Sequence, residues 1–207
     1  MKQVSPFDSD LAKLKSILTK CDYSGDKDTL ILIKENDASA TLKEITIDIS
    51  NGDWICFMPD KILNNKKCKK CQVSGISPLL KSGKEHDHHR ICDAIIFNLN
   101  LKLRQLHVIF IELKSSGGGY EGQFKSARQF IKYLLGLLFE FNTISSFQQN
   151  NLKETFILFQ LKLFLGKTTT TRKDLRSTQT FDSTVKKIPV SNGQKIPLST
   201  ILSHNII

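Results

Sequence analysis

Apolar residues along this chain fall into two rhythms. Leu11, Leu14, Ile17 and Leu18 recur at helical spacing, with Asp8 or Ser9 placed to cap a first helix. Residues 21–28 are turn-like, with Ser24, Gly25 and Asp26 together. Runs 29–33 and 41–49 are rich in β-branched residues and read as strands joined by a loop over 35–39. Ser-Asn-Gly-Asp at 50–53 is a turn, and 54–58 is a further short strand. Two apolar runs follow, 94–97 and 106–113, with the polar or basic segment 98–104 as the turn between them. Phe124, Ala127, Ile131, Leu134, Leu135, Leu138 and Phe141 then mark an amphipathic helix over about 120–141. Residues 155–165 return to a strand pattern, and 186–198 read as strand, Asn192-Gly193 turn, strand.

Chemistry concentrates at 92–114 in this pattern. Glu112 and Lys114 stand two apart at the tail of the second apolar run, so a strand puts them on one face. Asp93 stands at the head of the first run, 94–97. If the two runs pair as a hairpin, Asp93 and Glu112 share an end. Two carboxylates that close repel unless a cation lies between them, and oxygen ligands suit Mg²⁺ or Mn²⁺. Taken alone, Glu-x-Lys is as readily a solvated ion pair at a strand end. The ordered set of Asp, Glu-x-Lys, the Gly-rich 115–119 and a helix is less common. That glycine-rich segment lacks the Gly-Lys-Ser/Thr ending of a P-loop and reads as a strand-to-helix connection.

The arrangement over 91–159 resembles the PD-(D/E)XK nuclease superfamily, through Asp93, Glu112, Lys114 and the Gln-bearing helix that follows. Cys92 stands where that family has proline, which is not a ligand. The literal Pro59-Asp60 precedes a Lys-rich loop-like tract and reads as a turn. The resemblance implies an α/β (α+β) restriction-endonuclease-like core, a central mixed β-sheet flanked by helices. It implies a Mg²⁺ (or Mn²⁺) ion on Asp93, Glu112 and the main-chain oxygen of Leu113. It assigns Asp93, Glu112, Lys114 and Gln129 to catalysis. Gln123, Lys125, Arg128 and Lys132 on the helix, with Arg172, Lys173 and Arg176 in the Thr- and Lys/Arg-rich tract 167–176, are the nucleic-acid-binding candidates. For each helix residue a solvated polar face is the plain alternative.

Charge and cysteine content shift this picture only in part. The chain has 207 residues and a net charge of +10, from 30 Lys and Arg against 20 Asp and Glu. That excess favours a polyanionic partner, nucleic acid first, with DNA before RNA, although Lys outnumbers Arg as in any Lys-rich proteome. One domain over 1–207 is expected. Its core spans about 91–165, after an N-terminal helix, strands and Lys/Cys loop in 1–90 and before a basic tract and hairpin in 166–207. Five cysteines, no signal-peptide pattern in 1–10 and no apolar run of membrane length predict a cytoplasmic protein with reduced thiols.

Cys68, Cys71, His89 and Cys92 have the number and ligand types of a structural zinc site, with His86 and His88 as substitutes. Against zinc, Cys92 reads as a small buried strand residue and the others as loop side chains. The expectation is thus a metal-dependent nuclease, with defence against foreign DNA, repair or a mobile element as settings the family suggests. A partner protein of a defence system belongs to that expectation. Two alternatives stand beside it: a non-catalytic nucleic-acid-binding module organised by zinc, and an inactive interaction subunit with a nuclease fold.

Overall fold

A computed structural model describes residues 6–18, 22–35, 37–49, 53–59, 90–100, 105–115, 119–141, 152–162 and 184–203. Its elements are α1 (Pro6–Ile17), β1 (Tyr23–Ser24), β2 (Leu30–Lys34), β3 (Glu44–Asp48), β4 (Trp54–Phe57), β5 (Ala94–Asn100) and β6 (Gln105–Lys114). Then come α2 (Glu121–Glu140), β7 (Leu152–Leu161), β8 (Val185–Val190), β9 (Lys195–Pro197) and α3 (Leu198–Ser203). The architecture is mixed α/β. A six-stranded sheet runs β1-β4-β5-β6-β7-β8, and a three-stranded sheet runs β2-β3-β9.

In the large sheet β1, β4, β5 and β6 are antiparallel neighbours, whereas β7 joins β6 and β8 joins β7 in parallel. A parallel neighbour needs a crossover, and α2 lies between β6 and β7 in the chain. One face of the sheet packs on α1 and α2 through Phe97, Phe110, Phe124, Ile131 and Leu158. The other packs on the small sheet and α3 through Ile96, Ile111, Phe159, Ile47 and Ile201. With both faces covered, β6 is buried from Leu106 to Leu113. That explains its near-continuous apolar sequence. No helix among the described residues is long and apolar enough to cross a membrane.

Several local expectations change. The first helix begins at Pro6, so Asp8 and Ser9 lie inside it rather than at its cap. Proline suits the first turn, where its missing N–H has no partner to lose. Residues 98–100 belong to β5, because Asn98, Leu99 and Asn100 pair with His107, Leu106 and Gln105. Backbone pairing there outweighs the polar composition. The turn-like 21–28 contains the two-residue strand β1, paired with β4.

The C-terminal hairpin is absent. The Asn192-Gly193 turn is there, with Gly193 at φ 72°, but β8 pairs with β7 while β9 pairs in parallel with β3. The turn carries the chain from one sheet to the other. Asn192 Oδ1 fixes it by accepting the N–H groups of Lys43 and Glu44 at 2.7 and 3.0 Å.

At the far end of β6 from Glu112, buried His107 contacts Thr155 Oγ1 through Nε2 at 2.8 Å. Burial, and then Lys153 and Lys186, push its pKa down from 6.5 to about 4. As pH falls, the unfolded chain takes up this proton first, so the contribution of His107 is complete above pH 6.5 and is lost towards pH 4. Urea unfolding should show the advantage of wild type over His107→Gln shrinking by about 3 kcal/mol across that window. A pH-independent difference would rule out a neutral buried imidazole.

Candidate active centre

The β5–β6 pairing brings the predicted carboxylates together. Ala94 pairs with Ile111, so the next step along the hairpin sets Asp93 opposite Glu112. The backbone N–H of Leu113 donates to Asp93 Oδ2 at 2.7 Å, tying the head of one strand to the tail of the other. Glu112 and Lys114 share a face, as their spacing requires, and Lys114 Nζ lies 2.7 Å from Glu112 Oε1. The Glu112 side chain is 1% exposed and that of Lys114 is 24% exposed. The ammonium therefore reaches from the solvent edge down to a buried carboxylate. By distance this is a close ion pair, yet by angle neither Glu112 oxygen has an aligned hydrogen-bond donor.

Electrostatics mark these residues as strained in charge. Burial pushes the Glu112 pKa up from 4.5 to about 7, even though Lys114 and then the amide of Gln123 favour its charged form. Burial, and next the charge of Glu112, push Asp93 well above the ordinary carboxylate range, while the Leu113 N–H pulls the other way. Glu35 raises both. The sequence pattern places Glu35 in the loop over 35–39. It follows directly after β2, in a different sheet, and nothing local in the sequence signals its approach to Asp93.

The β2–β3 connection is also anchored here. Ser115 Oγ accepts the N–H groups of Thr41 and Leu42 at 2.7 and 2.9 Å, one residue beyond Lys114. Asp37 in the same connection feels the charge of Lys114. After β6 the chain turns into α2 through Gly119, whose φ of 74° favours glycine. Gln123, in the first turn of α2, stands beside Glu112, and its Oε1 is buried without a hydrogen-bond partner.

The remaining sequence candidates divide clearly. Gln129 is exposed on α2, and the glutamine the structure brings to the carboxylates is Gln123. The basic face of the helix is partly neutralised. Arg128 Nη2 and Nε both lie 2.7 Å from Glu154 Oε2 on β7, and Lys125 Nζ lies 3.1 Å from Glu121 Oε2. Lys132 is exposed. Arg172, Lys173 and Arg176 lie outside the described residues, as do Asp60, Cys68, Cys71, His86, His88 and His89. Cys92 is buried with a free thiol whose Sγ donates to the Ala94 carbonyl at 3.5 Å. Burial, and then the charges of Glu112 and Asp93, push that thiol well above its ordinary value.

The donor set fits a hard divalent cation. Asp93 and Glu112 offer carboxylate oxygens, both Glu112 oxygens lack an aligned donor, and a cation would offset the cost of ionising the pair. Among the described residues no three His, Cys, Asp or Glu side chains converge to hold a metal by themselves. An ion here would depend on water, main-chain carbonyl and substrate oxygens for the rest of its shell. Comparison with protein-family models, curated proteins and solved structures finds no match to this chain.

Proposed function

We propose that this chain is a metal-dependent nuclease with a restriction-endonuclease-like core, hydrolysing phosphodiester bonds of nucleic acid, DNA before RNA. The observation that carries the reading is buried Glu112, ion-paired to Lys114 at 2.7 Å and set opposite Asp93 by the β5–β6 pairing. A purely structural strand end has no need to bury a carboxylate whose ionisation the site itself opposes. Asp93, Glu112 and the Leu113 carbonyl would hold Mg²⁺ or Mn²⁺. When bound, that ion supplies Lewis acidity and a more acidic coordinated water.

The residues of the chain do the rest. The Leu113 N–H fixes the Asp93 carboxylate in place. Lys114 favours the charged form of Glu112 against its burial and carries a positive charge to the point where negative charge grows on a bound phosphate. Gln123 closes the helix side of the site. The net charge of +10 favours a polyanionic substrate. Defence against foreign DNA is a setting consistent with this chemistry.

Incubation with plasmid, linear duplex and single-stranded DNA, and with RNA, should give cleavage in Mg²⁺ or Mn²⁺ that EDTA abolishes. Failure on every substrate in both metals would remove the reading.

A further inference from the structure

Helix α2 packs on the large sheet through Phe124, Ala127, Ile131, Leu135 and Leu138. The side turned away from that stripe carries two adjacent rows at four-residue spacing, Lys132-Gly136-Glu140 and Tyr133-Leu137-Phe141. A helix side that met only solvent would be polar. Here Tyr133 is 66% exposed, Leu137 38% and Phe141 75%. A contiguous exposed apolar row marks an interaction surface, whereas single exposed apolar residues do not.

Gly136, at the middle of this side, is a second and independent observation. A glycine inside a helix weakens it. Crowding within the chain does not require one here, since a Cβ added at this position would meet nothing within 4 Å. Backbone conformation does not require it either, because the positive-φ glycines of the described residues are Gly119 and Gly193. The missing side chain leaves room for another backbone to come close at mid-helix.

The charges of this side choose the occupant. Lys132 and Glu140 are exposed, stand four residues before and after Gly136, and take part in no ion pair among the described residues. Eight residues of helix separate them by about 12 Å, too far to pair with each other. A second copy of α2 crossing antiparallel at Gly136 brings Glu140 of the partner subunit to Lys132, and two-fold symmetry makes that pair twice. The same operation sets Leu137 on Leu137 of the partner subunit and Tyr133 beside Phe141 of the partner subunit. A parallel crossing would instead set like charges together.

We propose that the outer side of α2 is the interface of a two-fold homodimer, with the two helices packed antiparallel across Gly136. Lys132, a nucleic-acid candidate on sequence alone, then serves a protein contact. The inference is independent of the nuclease reading, because it uses none of the residues of the candidate active centre.

Sedimentation equilibrium of the full chain over a concentration series tests it. Wild type should pass from monomer to dimer as concentration rises. Gly136→Leu should abolish the dimer while raising the melting temperature of the monomer, because leucine favours the helix and blocks the close approach. Misfolding would lower that temperature and so is told apart. Lys132→Glu and Glu140→Lys should each weaken the dimer about 10-fold or more, since each sets like charges together at both ends of the contact. The double variant Lys132→Glu/Glu140→Lys should recover affinity close to wild type, because both pairs are kept with their signs exchanged. A wild type that stays monomeric up to about 500 µM would overturn the proposal. So would a dimer indifferent to Gly136→Leu, or one whose charge variants are not rescued in combination, since the copies would then meet elsewhere.

Discussion

Glu112→Gln is expected to raise the stability of the metal-free protein at pH 8 by about 3 kcal/mol while abolishing cleavage. The pKa of this carboxyl rises from 4.5 to about 7 on folding, chiefly through burial. The folded state therefore holds a proton that the unfolded state has released between those values. Below pH 4.5 both states are protonated and the residue is neutral to stability. As pH rises through 7 the native protein must ionise a buried group, and the full penalty is present above that. Glutamine keeps the shape and removes the charge. The gain should be complete at pH 8, shrink through the window and vanish near pH 4.5. Asp93 benefits too, because the charge of Glu112 is one of the causes that raise it. Added Mg²⁺ should stabilise wild type and leave the variant nearly unchanged, since a ligand that binds only the native state shifts the equilibrium towards it. Paired denaturation curves at pH 4.5 and 8, with and without Mg²⁺, measure all of this. A variant less stable than wild type at pH 8 would show that Glu112 is an ordinary structural ion pair.

Lys114→Ala should reduce kcat about 100- to 1000-fold and leave substrate affinity within a few-fold of wild type. An ammonium is not a metal ligand, and here it occupies one oxygen of Glu112 at 2.7 Å, so it competes with a cation for that carboxylate. Its loss should not lower Mg²⁺ affinity once Glu112 is ionised. It should shift the ionisation of Glu112, because Lys114 is the largest of the influences that lower its pKa. The acid side of the Mg²⁺ binding profile should therefore move to higher pH. Calorimetric Mg²⁺ titration from pH 6 to 9, alongside single-turnover cleavage, separates the two effects. Cleavage at the wild-type rate would mean that the end of the β5–β6 hairpin is core and not an active centre.

The elements of the centre were legible in the sequence because each is local. The apolar runs of β5 and β6 are separated by a short polar segment, and strands so connected pair antiparallel. That alone brings Asp93 to Glu112, and a period of two brings Lys114 to the same side. The α2 stripe of Phe124, Ala127, Ile131 and Leu138 is likewise written in a period that one helix face imposes.

What the tertiary structure decided involves faces and partners that no local period encodes. Along β6 both sides are apolar, so alternation cannot say which layer Glu112 meets; packing on α2 decides it, and with it that Gln123 rather than Gln129 reaches the carboxylate. Arg128 resembles any solvated arginine until β7 sets Glu154 against it. An Asn-Gly turn between two apolar runs signals a hairpin locally, but β8 pairs with β7 and β9 with β3, in different sheets. Glu35 acts on the centre from the end of β2, a strand of the second sheet. Its approach depends on how whole layers stack, which is a property of the assembled core and not of the residues on either side of it.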